Sequence, residues 1–123
     1  MWLTFDWDDV LPSDPKVEEA FGELNSLFGI GNVWYRISSS QTGLHIVIGE
    51  GKFIRETSSL SIEPIEFTDE QVMEYRKLFA NDKWGLECNG RLLTDEMRRQ
   101  GGTTWGRIFT VKNGKVSGEW LPC

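Results

Sequence analysis

The chain has 123 residues, 39% of them hydrophobic, and carries 19 acidic against 13 basic side chains for a formal net charge of −6. This length fits a single domain, 1–123. The charge excludes a protein that holds nucleic acid by bulk positive potential alone, though not an enzyme whose metal site needs several acids. No apolar run approaches about 18 residues, and the N-terminus carries acids where a signal peptide carries bases, so a soluble, cytoplasmic protein with no membrane partner is expected. Cys88 and Cys123 match no zinc spacing, and sparse free cysteines suit a reducing interior.

The first element is the stretch Trp2–Asp9, WLTFDWDD. Successive side chains of a strand point to opposite faces. Leu3, Phe5 and Trp7 then share one face, and Thr4, Asp6 and Asp8 share the other, with Asp9 in the turn that follows. Ser13 is read as the N-cap of a helix over Pro15–Phe28, with Asp14 and Pro15 in its first turn. Val17, Ala20, Phe21, Leu24, Leu27 and Phe28 form its buried stripe, and Gly29 and Gly31 stop it. A second strand spans Asn32–Ser38. A polar link, Ser38–Gly43, leads to a third strand, Leu44–Gly49, and the two are expected to pair antiparallel.

Glu50-Gly51-Lys52 reads as a turn, and Phe53–Ile65 as a loop or an irregular strand. Thr68 and Gln71 make a capping box, and Phe67 and Val72 a hydrophobic staple, for a second helix that ends near Ala80. Trp84–Asn89 reads as a fourth strand. Arg91–Gln100 is either a strand end or a helical turn capped by Thr94, broken by Gly101-Gly102. Asn113-Gly114 between β-prone runs signals a C-terminal hairpin with a type I′ turn. The expected class is α+β, with the order β-α-β-β-α-β, two helices on one face of an antiparallel sheet, and a C-terminal β-hairpin.

If the apolar sets of the first three strands lie under the helices, Asp6, Asp8, Arg36, Ser38 and His45 gather on the opposite face. His45 is the only histidine. Two carboxylates on one strand face repel unless a cation sits between them, and hard divalent cations take oxygen ligands.

Asp6-x-Asp8, then the Ser-rich link ending in Gly43-Leu44-His45, then a later acid, resembles the archaeo-eukaryotic primase (primase-polymerase) superfamily. Its catalytic domains carry an hDhD motif, a small-x-His motif and a third acid on a later strand, over an RRM-like core. RISSSQTGLHIVI is the most specific part of the likeness. The resemblance implies a minimal catalytic core acting in DNA replication. Larger members add a template-holding N-terminal unit and helicase or zinc modules.

The resemblance also implies roles. Asp6, Asp8 and Asp95 would be catalytic and hold Mg²⁺ or Mn²⁺, two ions in all, with Glu87 as the rival third acid. Arg36, Ser38, Ser40, Gly43 and His45 would bind the nucleotide. Arg98, Arg99 and Lys112 would contact nucleic acid, and Trp34 and Trp105 are candidates for base stacking. Nucleoside triphosphates, a single-stranded DNA template and a helicase or other replication protein are the implied partners, and a virus or plasmid the implied source. Two other readings compete: an RRM-like nucleic-acid-binding or accessory module without catalysis, and a metal-dependent nuclease.

Overall fold

The computed structural model describes residues 1–106, 111–112 and 115–123, and side-chain surroundings for 1–106 and 117–123. The first strand, β1, spans Thr4–Asp8 and is followed by helix α1, Pro15–Phe28. Between them Asp9 turns the chain at φ 57, a left-handed conformation that Asp tolerates. The N-cap of α1 is Asp14 rather than Ser13. Pro15 fixes the first helical φ, and the Asp14 carboxylate accepts from Leu11 N–H at 2.9 Å, tying the entry loop instead of the helix end. Gly29, at φ 95, ends the helix.

Strands β2, Val33–Ile37, and β3, Gly43–Ile54, follow. The β3 strand is longer than the sequence suggests, because Glu50-Gly51-Lys52 continues it instead of turning. Gly51 lies against the Trp34 indole, where a Cβ would collide, and Lys52 pairs with Glu63 across the ladder. The segment Phe53–Ile65, which the sequence reads as a loop or an irregular strand, holds the end of β3, a tight turn and β4, Ser59–Pro64. The pairing Phe53↔Leu60 aligns the second half of β3 with β4.

Helix α2, Asp69–Ala80, has the expected capping box: Gln71 N–H donates to Thr68 Oγ1 and Thr68 N–H to the Gln71 side chain. No strand forms over Trp84–Asn89, where the chain is turn and irregular up to Cys88, and a third helix, α3, Asn89–Gln100, resolves Arg91–Gln100 as helical. Only one bridge, Trp7↔Glu87, remains of pairing there. The short strands β5, Val111–Lys112, and β6, Lys115–Val116, pair antiparallel, while the Asn113-Gly114 turn and Arg107–Thr110 lie outside the described residues. Finally β7, Leu121–Pro122, joins the outer edge of β2.

The class is α+β, with an antiparallel sheet and, among the described residues, three helices rather than two. The sheet order is β1-β3-β2-β7, with β4 on the far half of β3. One face carries Leu3, Phe5, Trp7, Leu44, Ile46 and Ile48, all fully buried against Val17, Phe21 and Leu24 of α1 and Val72 and Phe79 of α2. Phe5, Trp7 and Phe79 contact one another at tilted or edge-on angles, which aromatic rings favour. Leu27 and Leu78 stay at the surface, because their positions fall at the rim of the buried arc. Helix α3 packs Leu92 on Met73 and Ala80 of α2 as a second, smaller cluster.

Among the described residues no helix is long and apolar enough to cross a membrane. Cys88 and Cys123 are both free.

Candidate functional site

The polar sheet face is built by register. Asp6 of β1 is opposite His45 of β3, and His45 is opposite Arg36 of β2, so three chemically active side chains form one cross-strand row. Two residues along, on the same face, Asp8 is opposite Gly43, whose carbonyl accepts from Ser38 N–H at 2.9 Å. A Cβ on Gly43 would meet the Trp7 carbonyl at 2.5 Å, so glycine lets β1 approach β3 here.

The sequence suggests an open face for these residues, yet His45 and Arg36 are only 5% and 6% exposed. The C-terminal part of the chain supplies cover. The Trp120 ring lies 4.4 Å from the Arg36 guanidinium carbon, and Gly106 C=O accepts from Thr4 Oγ1 at 3.1 Å. Asp6 is half-buried and Asp8 exposed.

Within the row, Arg36 Nε–H donates to His45 Nδ1 at 3.0 Å. That bond requires an unprotonated Nδ1, so neutral His45 carries its hydrogen on Nε2, which is 3.9 Å from Asp6 Oδ1. Burial, then the charges of Arg36 and Arg91, lower the His45 pKa to about 4, against a smaller upward pull from Asp8. Burial also lowers the Arg36 pKa. The link beyond β2 is a chain of hydroxyls: Ser38 Oγ to Ser40 Oγ at 2.9 Å and Ser40 Oγ to Thr42 Oγ1 at 3.0 Å. Gln41, at φ 62, makes the turn that brings them together.

The two candidate third acids sit differently. Glu87 abuts β1, and its Oε1 accepts from Asp6 N–H at 3.4 Å and from Arg91 Nη1 at 3.2 Å. Arg76 Nε donates to its Oε2 at 3.4 Å. Burial pushes the Glu87 carboxyl up to about 7 against the pull of Arg76 and Arg91. Asp95 is 2% exposed and pairs with Arg76 Nη1 at 2.9 Å and Arg98 Nη1 at 3.6 Å. Arg76, itself fully buried, therefore ties both acids into one ion-pair network between α2 and α3. Among the described residues, no group of three or more His, Cys, Asp or Glu converges as a metal cage.

Of the residues expected at nucleic acid, Arg98 pairs with Asp95, and Arg99 pairs with Glu96 at 3.0 Å and Glu70 at 3.2 Å. The Lys112 side chain lies outside the described residues. Trp34 is buried, donating Nε1–H to Gly49 C=O at 3.0 Å, and Trp105 packs against the two apolar clusters. Sequence reasoning missed Arg76 and Trp120. A cation inside the apolar stripe Val72–Phe79 is the signal for the first; nothing in the sequence flags the second.

A divalent cation fits part of this arrangement. Mg²⁺ keeps several waters and is usually held by one or two carboxylates plus substrate phosphates. Asp6 and Asp8, two apart on one strand face, are the residues that would hold such an ion. Compared with models of known families, with curated proteins and with solved structures, the chain gives no match.

Proposed function

We propose that this chain is a metal-dependent nucleotidyltransferase of the primase-polymerase type, extending or starting a strand from nucleoside triphosphates on a single-stranded DNA template. The observation that carries the reading is the Asp6–His45–Arg36 row with Asp8 and Gly43 two residues along. An RRM-like core is the fold it implies. The antiparallel order β1-β3-β2, with Glu87 bridged to the outer side of β1 where a fourth strand would run, supports that core.

Asp6 and Asp8 would hold Mg²⁺ or Mn²⁺, which when bound supplies charge neutralisation and activation of the attacking hydroxyl. The chain's own groups do the rest. His45, held neutral, presents Nε2–H as a hydrogen-bond donor to a phosphate oxygen. Arg36 fixes the imidazole and offsets phosphate charge from behind it. The Ser38, Ser40 and Thr42 hydroxyls add donors at the neighbouring turn. Arg98 and Arg99, occupied in ion pairs, would reach a template only by exchanging partners.

Primer synthesis and primer extension with nucleoside triphosphates and Mg²⁺ or Mn²⁺ test the reading. The expected result is metal-dependent product that Asp8→Asn abolishes. Loss of full-length DNA without triphosphates would instead mark a nuclease.

A second reading, a binding module without catalysis, is favoured by the capture of both Glu87 and Asp95 by Arg76. It predicts single-stranded DNA binding that ignores metal and survives Asp8→Asn.

A further inference from the structure

A cleft of about 230 Å³ opens on the polar sheet face beside the Asp6–His45–Arg36 row. Thr4 and Val47, cross-strand partners two residues from Asp6 and His45, lie in its lining. Ile62 and Pro64 of β4 line it too, with Arg36 on the side of the row. Two indoles complete it, Trp2, 55% exposed, and Trp120, already stacked over the Arg36 guanidinium.

The shape and chemistry select the ligand. The volume is below the usual range of about 300–1,000 Å³ for a small-molecule pocket, so it admits one ring system rather than a whole nucleotide. Two indoles and an aliphatic lining favour a flat, weakly polar body, and base–indole stacking tolerates any base. The Thr4 hydroxyl, whose hydrogen goes to Gly106 C=O, still offers a lone pair to a donor edge of the base. Along β1 the steps from Thr4 to Asp6 and Asp8 are about 7 and 13 Å. A base at Thr4 thus leaves the sugar and phosphates of the same molecule running toward the carboxylates.

We infer that the Trp2–Trp120 cleft is the nucleobase subsite of this protein, holding the base of a nucleotide whose phosphates extend along β1 toward His45, Asp6 and Asp8. The inference rests on the nucleotidyltransferase reading for the phosphate end. The base end stands on the cleft itself.

Isothermal titration of the full chain with adenosine, ATP and inorganic triphosphate, each with and without Mn²⁺, separates the two. ATP is expected to bind on the order of tenfold tighter than triphosphate. Trp2→Ala should remove that preference and leave triphosphate affinity unchanged, and Trp120→Leu should remove the preference as well. Trp2 is exposed, so its variant carries the test if the Trp120 variant fails to fold. Equal affinity for ATP and triphosphate in the native chain, or a preference that survives both substitutions, overturns the cleft and leaves the nucleotidyltransferase reading standing. Adenosine binding that Trp2→Ala abolishes, with no triphosphate binding and no Mn²⁺ effect, supports the cleft and removes the catalytic reading. No binding of any of the three overturns both.

Discussion

Arg36 and His45 are cross-strand partners whose side chains close a hydrogen bond, Arg36 Nε–H to His45 Nδ1, at 3.0 Å. The bond sets the imidazole tautomer, while burial, then the charges of Arg36 and Arg91, keeps the ring neutral. Histidine here is a fixed donor at neutral pH, not a proton reservoir.

This has a pH signature in the metal-free protein. The folded His45 pKa, about 4, is below its ordinary 6.5, so between those values the unfolded chain binds a proton that the folded chain refuses. Stability from this group is full above 6.5 and falls as pH drops through the window, by up to ~1.4 kcal/mol per pH unit. Glu87 acts in the opposite sense. Its folded pKa, about 7, exceeds its ordinary 4.5, so its contribution is full below 4.5 and is lost as pH rises through 7. The slopes oppose each other where the windows overlap. Urea midpoints of the native chain should be nearly flat between about pH 5 and 6.5. Glu87→Gln should uncover a midpoint that rises with pH, and His45→Gln one that falls. A steep native slope of either sign would contradict the paired shifts.

Asp6→Asn and Asp8→Asn should each cut metal-dependent nucleotide transfer by ~100-fold or more, because each removes a ligand to the cation. Asparagine is close in shape to aspartate, so each variant should stay folded without metal. Circular dichroism melts and primer-extension gels read the two effects separately. Full activity in either variant removes the pair from the site.

Asp95 and Glu87 differ in what their loss should do. Asp95 sits between Arg76 and Arg98, while Glu87 accepts from Asp6 N–H. Asp95→Asn should cost about 3–5 kcal/mol of stability, the usual result of stripping one partner from a buried ion pair. Denaturant unfolding checks the value. A variant that folds with native stability but transfers no nucleotide would make Asp95 a catalytic residue after all.

Gly43→Ala tests the close approach at the site. The added methyl meets the Trp7 carbonyl at 2.5 Å and Asp8 Cα at 3.3 Å, both backbone atoms that cannot swing aside. A loss of roughly 1–3 kcal/mol is expected, with amide NMR shifts concentrated at Asp8, Gly43 and His45. A neutral substitution would mean that β1 and β3 slide apart at no cost.

Local chemistry made much of the fold legible. Pro15 and Gly29 bound α1, and the Thr68–Gln71 box starts α2, because caps depend on residues a few positions apart. Helix α3 was ambiguous for a physical reason. Its buried side presents Leu92 and Asp95, while Leu93 and Met97 are 66% and 67% exposed, so the apolar period is inverted by an acid that finds its partner on another helix. The site was half legible. Alternation puts Asp6, Arg36 and His45 on one face, but only strand register makes them a single row, and register is a property of pairing. That Thr4 and Arg36 are covered on this face was invisible, because the cover comes from Gly106 and Trp120, distant in sequence.

The unbroken course of β3 also makes it a ruler. From His45 to Ile54 the strand advances about 30 Å. Its far end pairs with β4, and the turn between them, 55–58, is exposed. A dye placed in that turn reports from a fixed, known span without touching the row, so energy transfer to a labelled nucleotide could measure, on single molecules, where on the sheet a ligand settles and how long it stays.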